Sequence, residues 1–241
     1  MKLRFRGPSA ALALALVLSP LAAAEDLTII SKVTAPRGGA GGTQTQYISS
    51  ERIRTSDPSH DTILDLKSGT LILIDNKKKQ YSEATLDQMR AFMGQLDAAM
   101  AGNPMMEKML GKAQEVSVAK GGETKKIAGY DTQQYVLSMG DTMRFEIWAA
   151  PALETPMQYF EARKALYATM GPIGKRFDSM FEEMKKIKGF PLATTMDYKM
   201  MMVRQQTLTE ATEVRRGPID PGVFTVPGGY KKVDSPFAKR R

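Results

Sequence analysis

Apolar and polar positions alternate along much of the chain in short runs separated by turn residues. Asp26–Thr34 (DLTIISKVT), Gln44–Ser50, Ile53–Ser56, Ile63–Leu66 and Thr70–Asp75 each read as a strand, and DNKKK turns the last into QYSE. The loop PRGGAGG, residues 36–42, parts the first two strands. No Gly-Lys-Ser/Thr follows it and no helix begins there, so it reads as a hairpin connection rather than a phosphate cradle. The clearest pattern is YDTQQYVLSMGDTMRFEIWAAP, residues 130–151. Folded about Asp141, it sets Met139 opposite Met143, Leu137 opposite Phe145 and Tyr135 opposite Ile147. These six side chains share one dry face, because side chains alternate along a strand. Ser138 with Arg144 and Val136 with Glu146 make the other face wet. Trp148 falls on that wetter face opposite Gln134, where its ring would cover the sheet edge.

Two segments change to helical spacing. In residues 85–102, Leu86, Met89, Met93, Leu96 and Met100 recur at alternating steps of three and four, which draws one apolar stripe, with Thr85 as N-cap. Residues 156–188 hold two helical pieces split at Gly171-Pro172, and Phe177, Met180, Phe181, Met184 and Ile187 form the stripe of the second. After Gly189 strands return: FPLATTMDY, then KMMMVRQQ as continuation or partner, then TLTEATEVRR, with one short strand in the closing PIDPGVFTVPGGYKKV. Strands, helix, strands, helix pair and strands predict an α+β fold: one strongly curved antiparallel sheet, an incomplete barrel, with helical insertions covering its concave face. A flat sheet carrying the helices is the alternative.

The beginning of the chain bears on compartment. Lys2, Arg4 and Arg6 precede an apolar run from Ala10 to Leu18, and Ala22-Ala23-Ala24 offers a small-residue cleavage site. We therefore expect a signal peptide over 1–24, a single domain over 25–234, a basic tail over 235–241, and a soluble periplasmic product. Loss of the three basic leader residues lowers the formal charge from +8 to +5. The closing KKVDSPFAKRR is expected as a solvated, frayed tail able to touch an anionic membrane surface. Cysteine is absent, which removes disulfides, thiolate ligands, a cysteine nucleophile and the acylated cysteine of a lipoprotein. No basic patch interleaved with aromatics points to nucleic acid.

The segments TKKIAGYDTQQYVL, FEIWAAP, GFPLATT and TEVRRGPIDPGVFTVPGGYKKV together resemble an exported bacterial family of unknown function, the domain of unknown function 4412 type. Its most specific elements here are Gly129-Tyr130, Trp148-Ala149-Ala150-Pro151, Phe190-Pro191-Leu192 and Phe224-x-Val226-Pro227-x-Gly229-Tyr230. In architecture that family is similar to the periplasmic lipoprotein carriers of the LolA/LolB type. The resemblance covers nearly all of the chain after the leader. It implies an incomplete barrel whose apolar hollow lies under helices, and in the carriers that hollow takes acyl chains. One departure is that the carriers begin with a helix at the barrel mouth, whereas a strand begins here near Asp26.

Of the seventeen methionines, sixteen follow the leader. MDYKMMMVRQQ, residues 196–206, carries four; drawn as one strand, it sets Met196, Tyr198, Met200 and Met202 on a single face. Three readings compete: filler for an irregular core, an adaptable wall for a variable apolar ligand, and a thioether Cu(I) site. The last is opposed by Met201, whose sulfur would point to the other face, and by the remoteness of the sole histidine, His60. No cofactor motif occurs and no metal ligands are nominated. His60 lies in the turn-rich SDPSHDT with no triad partners, and neither His-Glu-x-x-His nor Gly-x-Ser-x-Gly occurs, so a non-enzyme is expected. The expected function is a monomeric carrier for lipid or lipoprotein acyl chains. Its ligand-binding walls would be Leu137, Met139, Met143, Phe145, Ile147, Met196, Tyr198, Met200 and Met202, with Met89, Met93, Leu96 and Met100 as the cover. An envelope protein-interaction module with a filled core is the alternative.

Overall fold

The computed structural model describes residues 25–35, 41–100, 115–140, 143–155, 157–169, 178–200 and 203–238. A first run of strands comprises β1 (Leu27–Thr34), β2 (Gly42–Ile48), β3 (Arg52–Ser56), β4 (His60–Asp65), β5 (Thr70–Asp75) and β6 (Gln80–Thr85). Helix α1 (Leu86–Met100) follows directly. A second run holds β7 (Val116–Ile127), β8 (Tyr130–Met139), β9 (Met143–Ala150), β10 (Phe190–Met200) and β11 (Val203–Arg216), with α2 (Met157–Ala168) and α3 (Asp178–Met184) between β9 and β10. The two runs are antiparallel meanders joined through β1 and β11, and β12 (Lys231–Lys232) adds in parallel at the β6 edge. The order is β12-β6-β5-β4-β3-β2-β1-β11-β10-β9-β8-β7, an unclosed, curled sheet as the strand pattern predicts.

The curl has local causes. Register slips occur in β11 opposite Ile30 and Ser31, in β10 at Leu192 between Pro191 and Ala193, and in β7 between Lys120 and Thr124. Each extra residue bends its strand and sharpens the right-handed twist. The result is that β7 approaches β11 although β8, β9 and β10 lie between them in the sheet: Lys125 Nζ stands 3.5 Å from Glu210 Oε2. The same lysine lies 4.3 Å above the ring of Trp148. Trp148 is therefore only 6 % exposed, packed in a core group with Ile127, Leu192, Ala193 and Ala211. This corrects the expectation of a wet sheet-edge position, because curvature closes over that face. The ring keeps a polar anchor, Nε1 donating to Glu146 Oε1 at 3.0 Å.

The 130–150 hairpin has the predicted register at every rung: Met139 opposite Met143, Leu137 opposite Phe145, Tyr135 opposite Ile147 and Gln134 opposite Trp148. At its other end the two-residue turn Ala128-Gly129 takes positive φ at both positions (47° and 86°), the geometry that suits a tight hairpin between twisted strands. Thr85 caps α1 reciprocally: its Oγ1 accepts from Gln88 N at 3.1 Å while Gln88 Oε1 accepts from Thr85 N at 2.9 Å.

Helices α1, α2 and α3 lie on one side of the sheet. Leu64, Leu71 and Ala84 pack with Met89 of α1 and Ala162 of α2, while Tyr135, Leu137 and Ile147 pack with Met180 and Phe181 of α3. On the other side of β4 and β5, Ile63 and Ile74 are covered by Phe224 from the short 3-10 helix Pro221–Phe224. Beneath that cover the Arg54 guanidinium pairs with Asp61, which also accepts from Ser56 Oγ at 2.6 Å and Asn76 Nδ2 at 3.2 Å.

Strand β7 is not among the expected strands; after Val116 and Val118 it carries no large apolar side chain as far as Ile127. Two expectations are corrected. Of the two readings of KMMMVRQQ, partner rather than continuation holds: β10 ends at Met200, which pairs with Val203 of β11, so the face drawn from Met196 through Met202 on one strand does not form. Finally, Lys231 and Lys232 belong to β12, Lys232 pairs with Glu83, and Phe237 packs edge-on to Phe92 of α1 at 5.7 Å. The chain is thus docked, not frayed, to at least Phe237; residues 1–24 and Lys239–Arg241 lie outside the described residues.

Candidate functional site

Antiparallel pairing across β8, β9 and β10 builds the floor of the site rung by rung. Leu137, Phe145 and Met196 form one rung, and Tyr135, Ile147 and Thr194 the next, all on the side that faces the helices. Above them α2 contributes Tyr159, Phe160, Arg163 and Tyr167, and α3 contributes Met180 and Met184. Between floor and roof lies a cavity of about 280 Å³, walled almost entirely by hydrocarbon, aromatic rings and thioethers. Two neighbours adjoin it. One, of about 400 Å³, lies between α2 and strands β2–β5, lined by Gln46, Ile53, Thr55, Leu64, Leu71 and Leu166 among others. The other, of about 250 Å³, is mixed along the sheet, where the uncharged polar Ser31, Gln44, Gln46, Thr194, Thr207 and Thr209 alternate with apolar residues such as Ile29, Phe145 and Leu192. Tyr159 and Arg163 line all three, so α2 stands as a partition across the hollow.

Among the described residues, Arg163 is the one charged side chain on these walls. Its Nη1 donates to Tyr159 Oη at 3.0 Å, and its Cζ lies 5.5 Å from the centre of the Tyr159 ring. Its Nε is buried without a hydrogen-bond partner. The Tyr159 oxygen, and secondarily that of Tyr167, holds the guanidinium pKa above its ordinary value although burial opposes this. The group therefore stays a cation in an apolar setting.

Of the residues expected to bind ligand, Leu137, Met143, Phe145, Ile147 and Met196 line the first cavity together, and Leu137 is 1 % exposed. Met139 packs beside that group without lining the cavity. Tyr198 instead donates from Oη to Gln205 Oε1 at 2.9 Å. Met89 is packed among Leu64, Leu71 and Ala84, away from the first cavity, and Met93 is half-buried. Among the described residues, α2 and α3 rather than α1 therefore roof the first cavity. Met202 lies outside the described residues, as do the side chains of Leu96, Met100 and Met200. The α2 residues were not anticipated, yet Tyr159, Arg163 and Tyr167 recur at i, i+4 and i+8, a stripe visible in the sequence. His60 is exposed at the start of β4, and among the described residues no three His, Asp or Glu side chains converge as a metal site.

A family described as a domain of unknown function (DUF4412) matches residues 32–230. Among curated proteins none matches in sequence. Several solved structures are similar in fold at low identity. An uncharacterized conserved protein from Thermus thermophilus is 7% identical over 88% of this chain and 91% of its own, with a TM-score of 0.48. MucB, in the MucA/MucB complex of Pseudomonas aeruginosa, is 11% identical over 87% of this chain and 58% of that one, with a TM-score of 0.37. A putative outer membrane lipoprotein-sorting protein domain from Vibrio parahaemolyticus is 9% identical over 84% and 90%, with a TM-score of 0.30. The chain spans 31% of the length of the PNGF-II structure that it also matches.

Proposed function

The chain belongs to the DUF4412 family, and from that premise we propose that it is a non-catalytic carrier which takes an apolar chain into the hollow between its curled sheet and α2–α3. The observation that carries this reading is the 280 Å³ cavity. A core built only for stability fills its interior to crystal-like density, whereas here the floor and roof leave room next to flexible thioethers. Met143 and Met196 on the sheet and Met180 and Met184 on the helices can re-pack around chains of different shape with little strain. The leader-like residues Met1–Ala24 support delivery to the periplasm, where a monomer made of the 25–234 domain and its tail over 235–241 would work. The basic residues Lys239, Arg240 and Arg241 would bring it to anionic headgroups.

Burying ten methylenes gains about 8 kcal/mol, and association removes about 4 kcal/mol or more, so a twelve-carbon alcohol should bind no tighter than about millimolar. The test is displacement of the neutral fluorophore N-phenyl-1-naphthylamine by dodecanol, with Thr194→Trp as the blocked variant. Saturable binding in the wild type, weakened at least tenfold by the variant, supports the reading. No saturable binding in the wild type ends it.

A further inference from the structure

Two half-buried arginines in this fold, each with an Nε that lacks a hydrogen-bond partner, differ in what faces the rest of the guanidinium. Arg54 meets the Asp61 carboxylate and the Val223 carbonyl oxygen, so its charge is neutralised within the protein. Arg163 is served by phenol oxygens, and among the described residues no carboxylate lies within ion-pair distance of it. A guanidinium offers five N–H donors in a planar fork, and Nε of Arg163 is buried with no acceptor. An uncompensated charge in such a setting is strongly disfavoured unless something else supplies the anion.

The surroundings specify that anion. Among the described residues, the three cavities meeting at Arg163 are lined by no acidic side chain. On one side lies the apolar cavity with Leu137, Ile147 and Met180; on the other lies a mixed wall that carries neutral hydroxyls and amides, including Ser31, Gln44 and Thr207. Hydrocarbon, cation and uncharged hydrogen-bonding groups thus follow one another along the hollow. That is the sequence of chemistries met along an amphiphile from its tail, through an ionised oxyanion, to a hydroxylated headgroup.

We propose that Arg163 is the receptor for the oxyanion of an anionic amphiphile, a carboxylate or phosphate ester, whose tail enters the first cavity and whose uncharged headgroup atoms lie against β1, β2 and β11. This rests on the carrier reading and adds selectivity to it: the cavity accepts the tail, and Arg163 chooses the head. The planar fork engages two oxygens of one carboxylate or phosphate, the strongest form of such contact. Tyr159 and Tyr167 are positioning residues, four residues to either side on the same helix face, that aim the guanidinium between the cavities.

The experiment compares twelve-carbon ligands that differ only at the head: dodecyl phosphate, dodecanoate, dodecanol and dodecylammonium, each titrated calorimetrically into full-length mature protein below its micelle concentration. Inorganic phosphate serves as the tail-free control. We expect both anions to bind at least tenfold tighter than dodecanol, dodecylammonium to bind more weakly than dodecanol, and inorganic phosphate to bind at least a hundredfold more weakly than dodecyl phosphate. In Arg163→Gln the anion-to-alcohol ratio should fall to about one, and in Arg163→Lys it should fall only in part. Equal wild-type affinities for anions and alcohol would overturn the receptor role while leaving the carrier reading standing. Inorganic phosphate binding as well as dodecyl phosphate would also overturn the proposal, since the tail would contribute nothing. If no alkyl ligand binds, the carrier reading itself fails. The wild-type comparison decides the matter even if the Gln variant does not fold.

Discussion

Replacing Gly189 by alanine tests whether the junction between α3 and β10 is as tightly constrained as it looks. Gly189 has φ +94°, and a Cβ there would stand 2.0 Å from Ala150 O, 2.3 Å from Ala150 C and 2.6 Å from Pro151 N. All three obstacles are main-chain atoms at the end of β9, so no side chain can swing aside. The loop is further pinned: Thr155 Oγ1 donates to Gly189 O at 3.0 Å, and Phe190 N donates to Leu153 O at 2.8 Å. A side chain forced into left-handed backbone costs about 1–2 kcal/mol. Overpacking against rigid neighbours adds about 1–3 kcal/mol, here toward the upper end. The expected loss is about 3–5 kcal/mol, a large part of the ~5–15 kcal/mol by which domains are stable. Urea denaturation followed by fluorescence of Trp148, the sole tryptophan, measures it, with the slope expected unchanged. Gly122→Ala is the control, because nothing lies within 4 Å of its added Cβ. If Gly189→Ala lost less than 1 kcal/mol beyond the control, the close approach of these two chain segments would be disproved.

Three further outcomes follow from the same geometry. Arg54→Ala leaves Asp61, only 3 % exposed, with hydrogen bonds from Ser56 and Asn76 but no cation; a loss of about 3 kcal/mol in urea denaturation is expected, and a near-neutral result would show that the pair is dispensable. Thr85→Ala removes one arm of the reciprocal cap of α1 and should cost about 1 kcal/mol, with Thr85→Ser largely restoring it. The carboxyl of Asp65 sits below its ordinary 3.8, first because the Ser68 N–H donates to it at 2.8 Å, with the Ser68 hydroxyl and Arg52 assisting against desolvation. A lowered folded pKa stabilises above the unfolded value and is lost as pH falls through the folded one. Asp65→Asn should therefore be less stable than wild type at neutral pH, and the gap should close as pH falls through the lowered folded pKa; a gap independent of pH contradicts the assignment.

The parts of this structure that could be read in advance are those in which periodicity and burial agree. The 130–150 hairpin came out in register because each dry rung pairs apolar with apolar and a glycine-aspartate turn marks its centre. Strand β7 escaped because it is an edge strand: only Ile127 along it is buried, and its lysines and glycines carry no two-residue apolar period. The methionine run misled because KMMMVR contains no glycine, proline or asparagine to announce the reversal after Met200. Trp148 was misplaced because local alternation cannot report a curl that brings Lys125 back over a distant strand. The roof of the cavity was hidden by its own chemistry. A charged residue at the centre of a helical stripe suggests a solvated face, and Arg163 lies at the centre of Tyr159 and Tyr167 while facing inward.

The seam between β1 and β11 sets the order in which this protein can mature. Leu27 aligns with Arg216 and Thr34 with Leu208, so the two meanders are stitched by contacts spanning most of the chain. Loop closure on that scale comes late and slowly, whereas each meander forms from neighbours. A polypeptide arriving amino end first must therefore hold its opening strand with one edge bare until the strand that completes it has arrived. Premature truncation anywhere before residue 208 should leave a sticky half-sheet rather than a smaller working version of the protein.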